Sequence, residues 1–257
     1  MSIQDRASEL LRLHTDPELL VLVNVWDVVS ARAVADQPGC HALATASHSI
    51  AASNGYPDGE NIPPDLMLDA VGRIAAATDL PVTADLEAGY GDPGETIRRA
   101  IGAGVVGANI EDQMRPLADA VAVVEAVVGA GAAEGVPFVL NARTDAFLKA
   151  ADETPHEEVV AEAIARGQAY LDAGATCVFM PGHLDEPTVI ELVDALGERR
   201  ISTIGYPGSL PAEMLARLGV ARLSYGPWSQ RLALHALADS AADLLAGGAL
   251  PEDVREF

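Results

Sequence analysis

The feature that most restricts this chain is a rhythm. Short apolar runs recur along its length, and each is followed by a stretch with helical spacing. The runs fall at 19–25, 41–45, 82–85, 105–111, 137–141, 176–180, 200–204 and 221–224. The helical stretches fall at about 28–37, 64–78, 93–103, 117–134, 155–173, 186–196, 211–218 and 229–246, with an amphipathic helix at 3–14 in front. Most of the runs are apolar throughout rather than alternating, as a sheet covered on both faces requires. Gly39, Gly104, Gly174 and Gly219 each precede an even-numbered run, where a glycine that ends a helix belongs. Eight strand–helix pairs imply a closed (β/α)₈ TIM barrel in one domain. An open doubly wound sheet is the competing topology, but no Gly-x-Gly-x-x-Gly turn follows the first run.

Length and charge narrow the function classes. The 257 residues suffice for one such barrel. A formal net charge of −22 sets the chain against nucleic acid and against anionic membrane surfaces, because both would repel it. No apolar stretch reaches the length of a transmembrane helix, and 3–14 lacks a signal-peptide core. Cys40 and Cys177 both sit in apolar contexts and read as buried thiols of a reducing cytoplasm. Lys149 is the only lysine, so a Schiff-base mechanism would have to run through it.

In a barrel, catalytic groups come from the C-terminal ends of the strands. That rim carries Asn24, Ser47, His48, Asp85, Glu87, Glu111, Asn141, Arg143 and His183. Residues two apart in a strand share a face, so Asp85 and Glu87 project together, and Glu111 ends the neighbouring strand. Such a cluster repels itself unless a cation or shared protons sit in it. Capping a helix needs only one side chain, and Asp92, before Pro93-Gly94-Glu95, supplies that cap. The three remaining acids are hard oxygen ligands of the kind Mg²⁺ takes, keeping waters and substrate oxygens in its shell. Arg143 shares a face with Asn141. It suits either a substrate carboxylate or an ion pair with Glu111. Metal, arginine and cleft together suit a 2-oxo acid, whose enolate the metal would stabilise when a bond beta to the carboxylate breaks. Lys149 lies outside the strand and is poorly placed for an imine.

Three segments carry a wider resemblance: Asp85-Leu86-Glu87-Ala88-Gly89-Tyr90-Gly91, Asn109-Ile110-Glu111-Asp112-Gln113, and Asn141-Ala142-Arg143-Thr144-Asp145-Ala146-Phe147. With Gly55-Tyr56-Pro57-Asp58-Gly59-Glu60, they resemble the isocitrate lyase/phosphoenolpyruvate mutase superfamily over nearly the whole chain. The resemblance implies a (β/α)₈ barrel, Mg²⁺, 2-oxo-acid or enolate substrates, and homo-oligomers in which the last helix is exchanged between neighbouring barrels. By position, it makes Asp85 the direct metal ligand and has Glu87 and Glu111 hold metal-bound waters. Ser47 and His48 become the backbone cradle of the substrate carboxylate, and Asp58 and Arg143 reach into the substrate site. The chain departs from the pattern after the fourth strand. The Lys-Lys/Arg-Cys-Gly-His gating segment of the lyases is missing, because Gln113-Met114-Arg115 runs directly into Pro116. Small Ala44 also stands where relatives pack an aromatic on substrate.

The expectation is therefore a Mg²⁺-dependent carbon–carbon lyase or decarboxylase acting on a small 2-oxo acid, in a cytoplasmic dimer or tetramer that binds neither nucleic acid nor membrane. Two alternatives are an oxo-acid-binding protein with little turnover and a carbon–phosphorus enzyme of the phosphonomutase or phosphonopyruvate hydrolase type. For the latter, Arg115 is the nearest basic residue.

Overall fold

The computed structural model describes residues 1–255. The strands are β1 (Leu20–Leu22), β2 (Asn24–Val25), β3 (Leu43–Thr45), β4 (Val82–Asp85), β5 (Gly107–Glu111), β6 (Val139–Arg143), β7 (Cys177–Phe179), β8 (Ile201–Ile204) and β9 (Arg222–Ser224). The helices are α1 (Ile3–Thr15), α2 (Val28–Ala35), α3 (Ser47–Ser53), α4 (Pro64–Ala76), α5 (Pro93–Gly102), α6 (Leu117–Ala133), α7 (His156–Asp172), α8 (Glu186–Leu196), α9 (Ala212–Arg217) and α10 (Trp228–Leu245). Every pairing is parallel, in the order β1-β9-β8-β7-β6-β5-β4-β3-β2. β1 and β2 are two halves of one strand parted at Val23. β1 pairs with β9 and β2 with β3, so the sheet closes through that strand. The barrel expected from the rhythm is the observed fold, and the open sheet is excluded.

Local chemistry explains most element ends. Asp92 accepts from the Glu95 amide at 3.0 Å, the cap expected before Pro93. Ser2 and Asp5 form a reciprocal capping box that starts α1. Gly104 and Gly174, at φ 97° and 101°, reverse the chain between helix and strand where a side chain would be strained. α5 buries Thr96, Ile97, Ala100 and Ile101 and exposes its charges.

α1 closes the N-terminal end of the barrel, burying Ala7, Leu10, Leu13 and His14. A Cβ at Gly107 would lie 2.8 Å from both Leu10 Cδ2 and the Val139 carbonyl oxygen, so this helix sits on β5 without clearance. The barrel interior is polar for a core. Asn141 Nδ2 donates to Asn109 Oδ1 at 2.8 Å and to Ser202 Oγ at 3.3 Å, and Arg222 is 1% exposed. Cys40 and Cys177 are free thiols, half-buried and buried. Among the described residues, no helix is long and apolar enough to cross a membrane.

Two local expectations are corrected. The strand expected at 19–25 breaks at Val23. The segment after β3, outside the helical stretches expected from the sequence, contains α3, which buries Ser47, Ser49, Ile50 and Ala51. Its serines favour turns in isolation, but burial of Ile50 and Ala51 outweighs that preference. Asn54 Nδ2 then closes the helix by donating to the Ile50 carbonyl at 2.8 Å.

His14 carries a stability prediction. Its Nδ1–H donates to the Leu10 carbonyl at 2.8 Å, and burial, reinforced by the charge of Arg222, pushes its pKa down to about 3. The folded state holds the ring neutral, whereas the unfolded chain protonates it near pH 6.5. The stability due to neutral His14 is therefore complete above that pH and declines as pH falls towards 3. Urea melts of wild type and His14→Leu across this window should differ in slope by up to about 1.4 kcal/mol per pH unit. Parallel profiles would show that His14 is not held neutral.

Candidate active site

The C-terminal rim opens into a cleft of about 480 Å³. Asn24, Ser47, His48, Asp58, Asp85 and Arg143 line it. Phe179, Pro181, Ile204, Tyr206, Trp228 and Arg231 line it as well. The structure thus brings Ser47, His48, Asp58, Asp85 and Arg143 to one cavity, as the sequence suggested, with His183 at its edge.

Asp85 ends β4 beside the start of α3. Its Oδ2 accepts from the Ser47 hydroxyl at 2.8 Å and the Ser47 amide at 3.2 Å, while its own amide donates to Thr45 Oγ1 at 3.1 Å. The helix missed in the sequence therefore aims the acid. His48 Nδ1 and Asp58 Oδ2 lie 3.5 Å apart at the cleft edge.

Glu87 and Glu111 stand behind this front rank. The expectation that Glu87 shares a strand face with Asp85 is corrected, because β4 ends at Asp85 and Glu87 turns back with φ 53°. It is 3% exposed and accepts from the Glu60 amide and, at 3.5 Å, from the Tyr90 hydroxyl. Burial, and then the charges of Asp85 and Asp58, push its pKa up to about 7. Glu111 pairs with Arg143 Nη1 at 2.8 Å, yet burial, with Asp145 and Asp85 nearby, lifts its pKa to about 7 as well. Of the two roles open to Arg143, the ion pair is present, and Arg143 Nε also donates to Asp145 Oδ1 at 2.8 Å. Asn141, read as a rim residue, is wholly buried in the barrel network. Lys149 is tied to Asp145 at 3.1 Å. Arg115 Nε is committed to the Asp112 carbonyl at 3.0 Å.

Five of the six described non-glycine residues with positive φ surround these acids: Glu60, Glu87, Tyr90, Gln113 and Met114. Such conformations persist only where neighbours over-determine them. Here the Tyr90 amide donates to Glu60 Oε1 at 2.5 Å, the Glu111 amide to the Glu87 carbonyl at 2.7 Å, and the Met114 amide to Asp112 Oδ1 at 2.9 Å. Sequence reading missed Glu60 and Tyr90 as supports of Glu87. The only signal available was their place in the glycine-rich segments flanking the acids.

A parallel barrel with a cleft at its C-terminal rim, walled by acids and one ion-paired arginine, is the architecture in which TIM-barrel enzymes carry their active sites. The phosphoenolpyruvate phosphomutase family model matches residues 10–245, so the chain belongs to that family, within the isocitrate lyase/phosphoenolpyruvate mutase superfamily. An uncharacterized protein of Mycobacterium tuberculosis H37Rv is 31% identical, over 94% of this chain and 91% of that protein. An oxaloacetate decarboxylase of Pseudomonas entomophila is 32% identical over 77% of this chain and 70% of its own length. Among solved structures, a provisionally named phosphonomutase of Burkholderia cenocepacia J2315 is 40% identical, covering 93% of this chain and 99% of that chain at a TM-score of 0.86. Oxaloacetate acetylhydrolase bound to oxalate is 25% identical, covering 98% and 91%, also at 0.86. Members of this superfamily are carbon–carbon lyases and phosphonomutases acting on small carboxylates or phosphonates.

Asp112 organises the back of the site, so its removal should be costly. Its carboxylate, 4% exposed, accepts from Tyr170 Oη at 2.7 Å, Arg166 Nη1 at 3.2 Å, and the Met114 and Asp145 amides at 2.9 and 3.1 Å. Asp112→Ala leaves the buried Tyr170 hydroxyl and two amides without their acceptor and removes one of the two carboxylates paired with Arg166, which keeps Glu162 and the Arg115 carbonyl. Urea denaturation should show a loss of about 3–5 kcal/mol. A loss below 1 kcal/mol would mean that the network is dispensable.

Proposed function

We propose that this chain is a Mg²⁺-dependent enzyme acting on a small 2-oxo acid, breaking a carbon–carbon bond as a lyase or decarboxylase. The observation that carries this reading is the convergence of Asp85, Glu87 and Glu111 on one rim, with two of the three pushed up to about 7. A divalent cation would relieve that strain, and the donor set is all hard oxygen, so the residues fit magnesium. Among the described residues, no three His, Cys, Asp or Glu side chains are grouped closely enough to ligate an ion together. In the reading proposed, Asp85 binds the ion directly and Glu87 and Glu111 hold metal-bound waters. When bound there, Mg²⁺ would supply a Lewis acid for the carboxylate and keto oxygens of the substrate.

The chain's own groups do the rest. Ser47 fixes Asp85 through its hydroxyl and its amide, and His48, next to it in the first turn of α3, turns its backbone amide to the substrate carboxylate in this reading. Arg143, held by Glu111 and Asp145, keeps a fixed positive charge against the negative charge that develops as the bond breaks. Asp58 lines the cleft beside His48, and in this reading it exchanges a proton with substrate. The relatives named for oxaloacetate chemistry support this substrate class. The short turn between β5 and α6 favours a second reading, an oxo-acid-binding protein with little turnover, because it brings no further proton donor over the cleft. Carbon–phosphorus chemistry is less supported, since Arg115 is already committed to a backbone carbonyl.

Calorimetric titration of oxalate with Mg²⁺ tests the proposal. Wild type should bind oxalate only with the metal present. Asp85→Ala should abolish that binding with the fold intact, while Glu87→Gln should weaken it less, because a water-mediated contact partly survives loss of charge. Metal-independent oxalate binding, or full binding by Asp85→Ala, would sink the reading.

The same proposal includes a homo-oligomer, a dimer or tetramer, in which α10 is exchanged between barrels. Leu232, Leu234, Leu237 and Leu245 on this helix are 70%, 54%, 63% and 90% exposed, an apolar surface that calls for cover. Light scattering at micromolar concentration should give a multiple of 26.7 kDa; a monomeric mass would remove this part of the proposal.

A further inference from the structure

Beneath the floor of the cleft lies a cation without a partner among the described residues. Ile204 and Ser224, at the ends of β8 and β9, line the cleft. Residues two apart in a strand share a face, so Ser202 and Arg222 lie one layer below them. The two are register partners, and Ser202 Oγ accepts from the interior Asn141 Nδ2 at 3.3 Å, which places this face inside the barrel. Arg222 is 1% exposed, and its Nε and Nη1 have no hydrogen-bond partner among the described residues.

The groups near it bring no negative charge. His14, on the helix that closes the barrel, is neutral, and the charge of Arg222 helps to keep it so. Burial pushes the Cys177 thiol up to about 12, so it stays protonated. Burial also lowers Arg222 itself to about 10, which leaves it charged at neutral pH; the carboxylate that favours its charged form is Asp85. Asn109, the register partner of Asp85, accepts from Asn141 Nδ2 at 2.8 Å, and the same nitrogen reaches Ser202 beside Arg222. A belt of amides and a hydroxyl therefore spans the interior between the rim acid and the buried arginine.

A buried charge without a counter-ion lowers stability, and an apolar residue of similar size would serve the fold better. Such a group calls for a reason outside the fold. Its field supplies one. Through the protein interior a charge is felt at a site one layer away with little screening by salt. There it opposes a cation and favours an anion.

We propose that Arg222 is a buried electrostatic residue of the cleft, whose positive charge under the floor weakens divalent-cation binding at Asp85 and strengthens binding of the anionic ligand that follows. It touches neither ligand and acts through its field. This rests on the reading of Asp85 as the metal ligand.

The test compares wild type, Arg222→Met and Arg222→Gln by titration calorimetry, first with Mg²⁺ alone and then with oxalate at saturating Mg²⁺. Arg222→Met should bind Mg²⁺ roughly tenfold more tightly and oxalate roughly tenfold more weakly, the scale of a unit charge acting across about 10 Å of protein. Arg222→Gln, which keeps hydrogen-bonding capacity without the charge, should shift both affinities in the same two directions. In urea without metal, Arg222→Met should be at least as stable as wild type, because an unpaired buried charge has gone. An arginine with a merely structural role would do the reverse, with lower stability in Arg222→Met and both ligands weakened together. Affinities that move the same way, or that change by less than about twofold, overturn the inference. Wild-type behaviour in Arg222→Gln overturns it as well, since hydrogen bonding rather than charge would then be responsible, and so does loss of the fold in Arg222→Met. Absence of Mg²⁺-dependent oxalate binding in wild type instead removes the metal reading on which the inference stands.

Discussion

Asp112 accepts hydrogen bonds from four donors that lie on three parts of the chain: the turn after β5, the end of β6 and the helix α7. These contacts hold its pKa below the usual carboxylate range despite burial, which alone would raise it. Through the Asp145 amide the same carboxylate fixes Asp145, which pairs with Arg143, which pairs with Glu111. A line of linked charged groups therefore runs from α7 across the rim to the cleft. Each member is held by the next, so the front of the site is only as well placed as Asp112 behind it. Charge on this scale can be buried only because every link has a partner of opposite sign or a backbone amide.

Glu87 lies off that line, and its support is of another kind. It draws on the Glu60 amide and the Tyr90 hydroxyl, while Glu60 in turn accepts from the Tyr90 amide. Besides burial, the charges that raise its pKa are those of Asp85, Asp58 and Glu111, all acids. The rim is thus divided. Glu111 has a resident arginine, and Glu87 has only dipoles and other acids. The side of the cleft that holds Glu87 and Asp85 is the side with uncompensated negative charge.

The repeated strand–helix rhythm was enough to read the barrel, because a sheet buried on both faces leaves unbroken apolar runs and helix-ending glycines at a regular place. Asp85, Ser47, His48, Asp58 and Arg143 were legible as neighbours for the same reason: closure of the sheet brings strand ends together whatever lies between them. The routes were less legible. Glu87 was assigned to a strand face, yet reaches the cluster through a left-handed turn that no alternation rule describes. α3 was hidden because Ser47 and Ser49 look like loop residues until Ile50 and Ala51 find the core. Arg143 could not be assigned between substrate and Glu111 from spacing alone, since both lie along the same face. Arg231 and Trp228 had no motif to mark them, and they reach the cleft only because the start of α10 folds back over β2.

The turn between β5 and α6 has a consequence for the opposite wall. Gln113 and Met114 both take positive φ to pass from Glu111 to Pro116 within a few residues, and Asp112 pins that passage. So tight a turn leaves nothing to fold over the cleft from this side. Whatever limits water and orients a ligand must come from groups already in place around the mouth. The first turn of α10 is the element so placed, because Asn24, Ser229 and Gln230 tie it to the strand and helix that carry the acid end. A wall fixed in this manner can select a ligand by shape and charge, but it cannot close after binding as a loop does. Discrimination in such a site has to be built into the resting geometry.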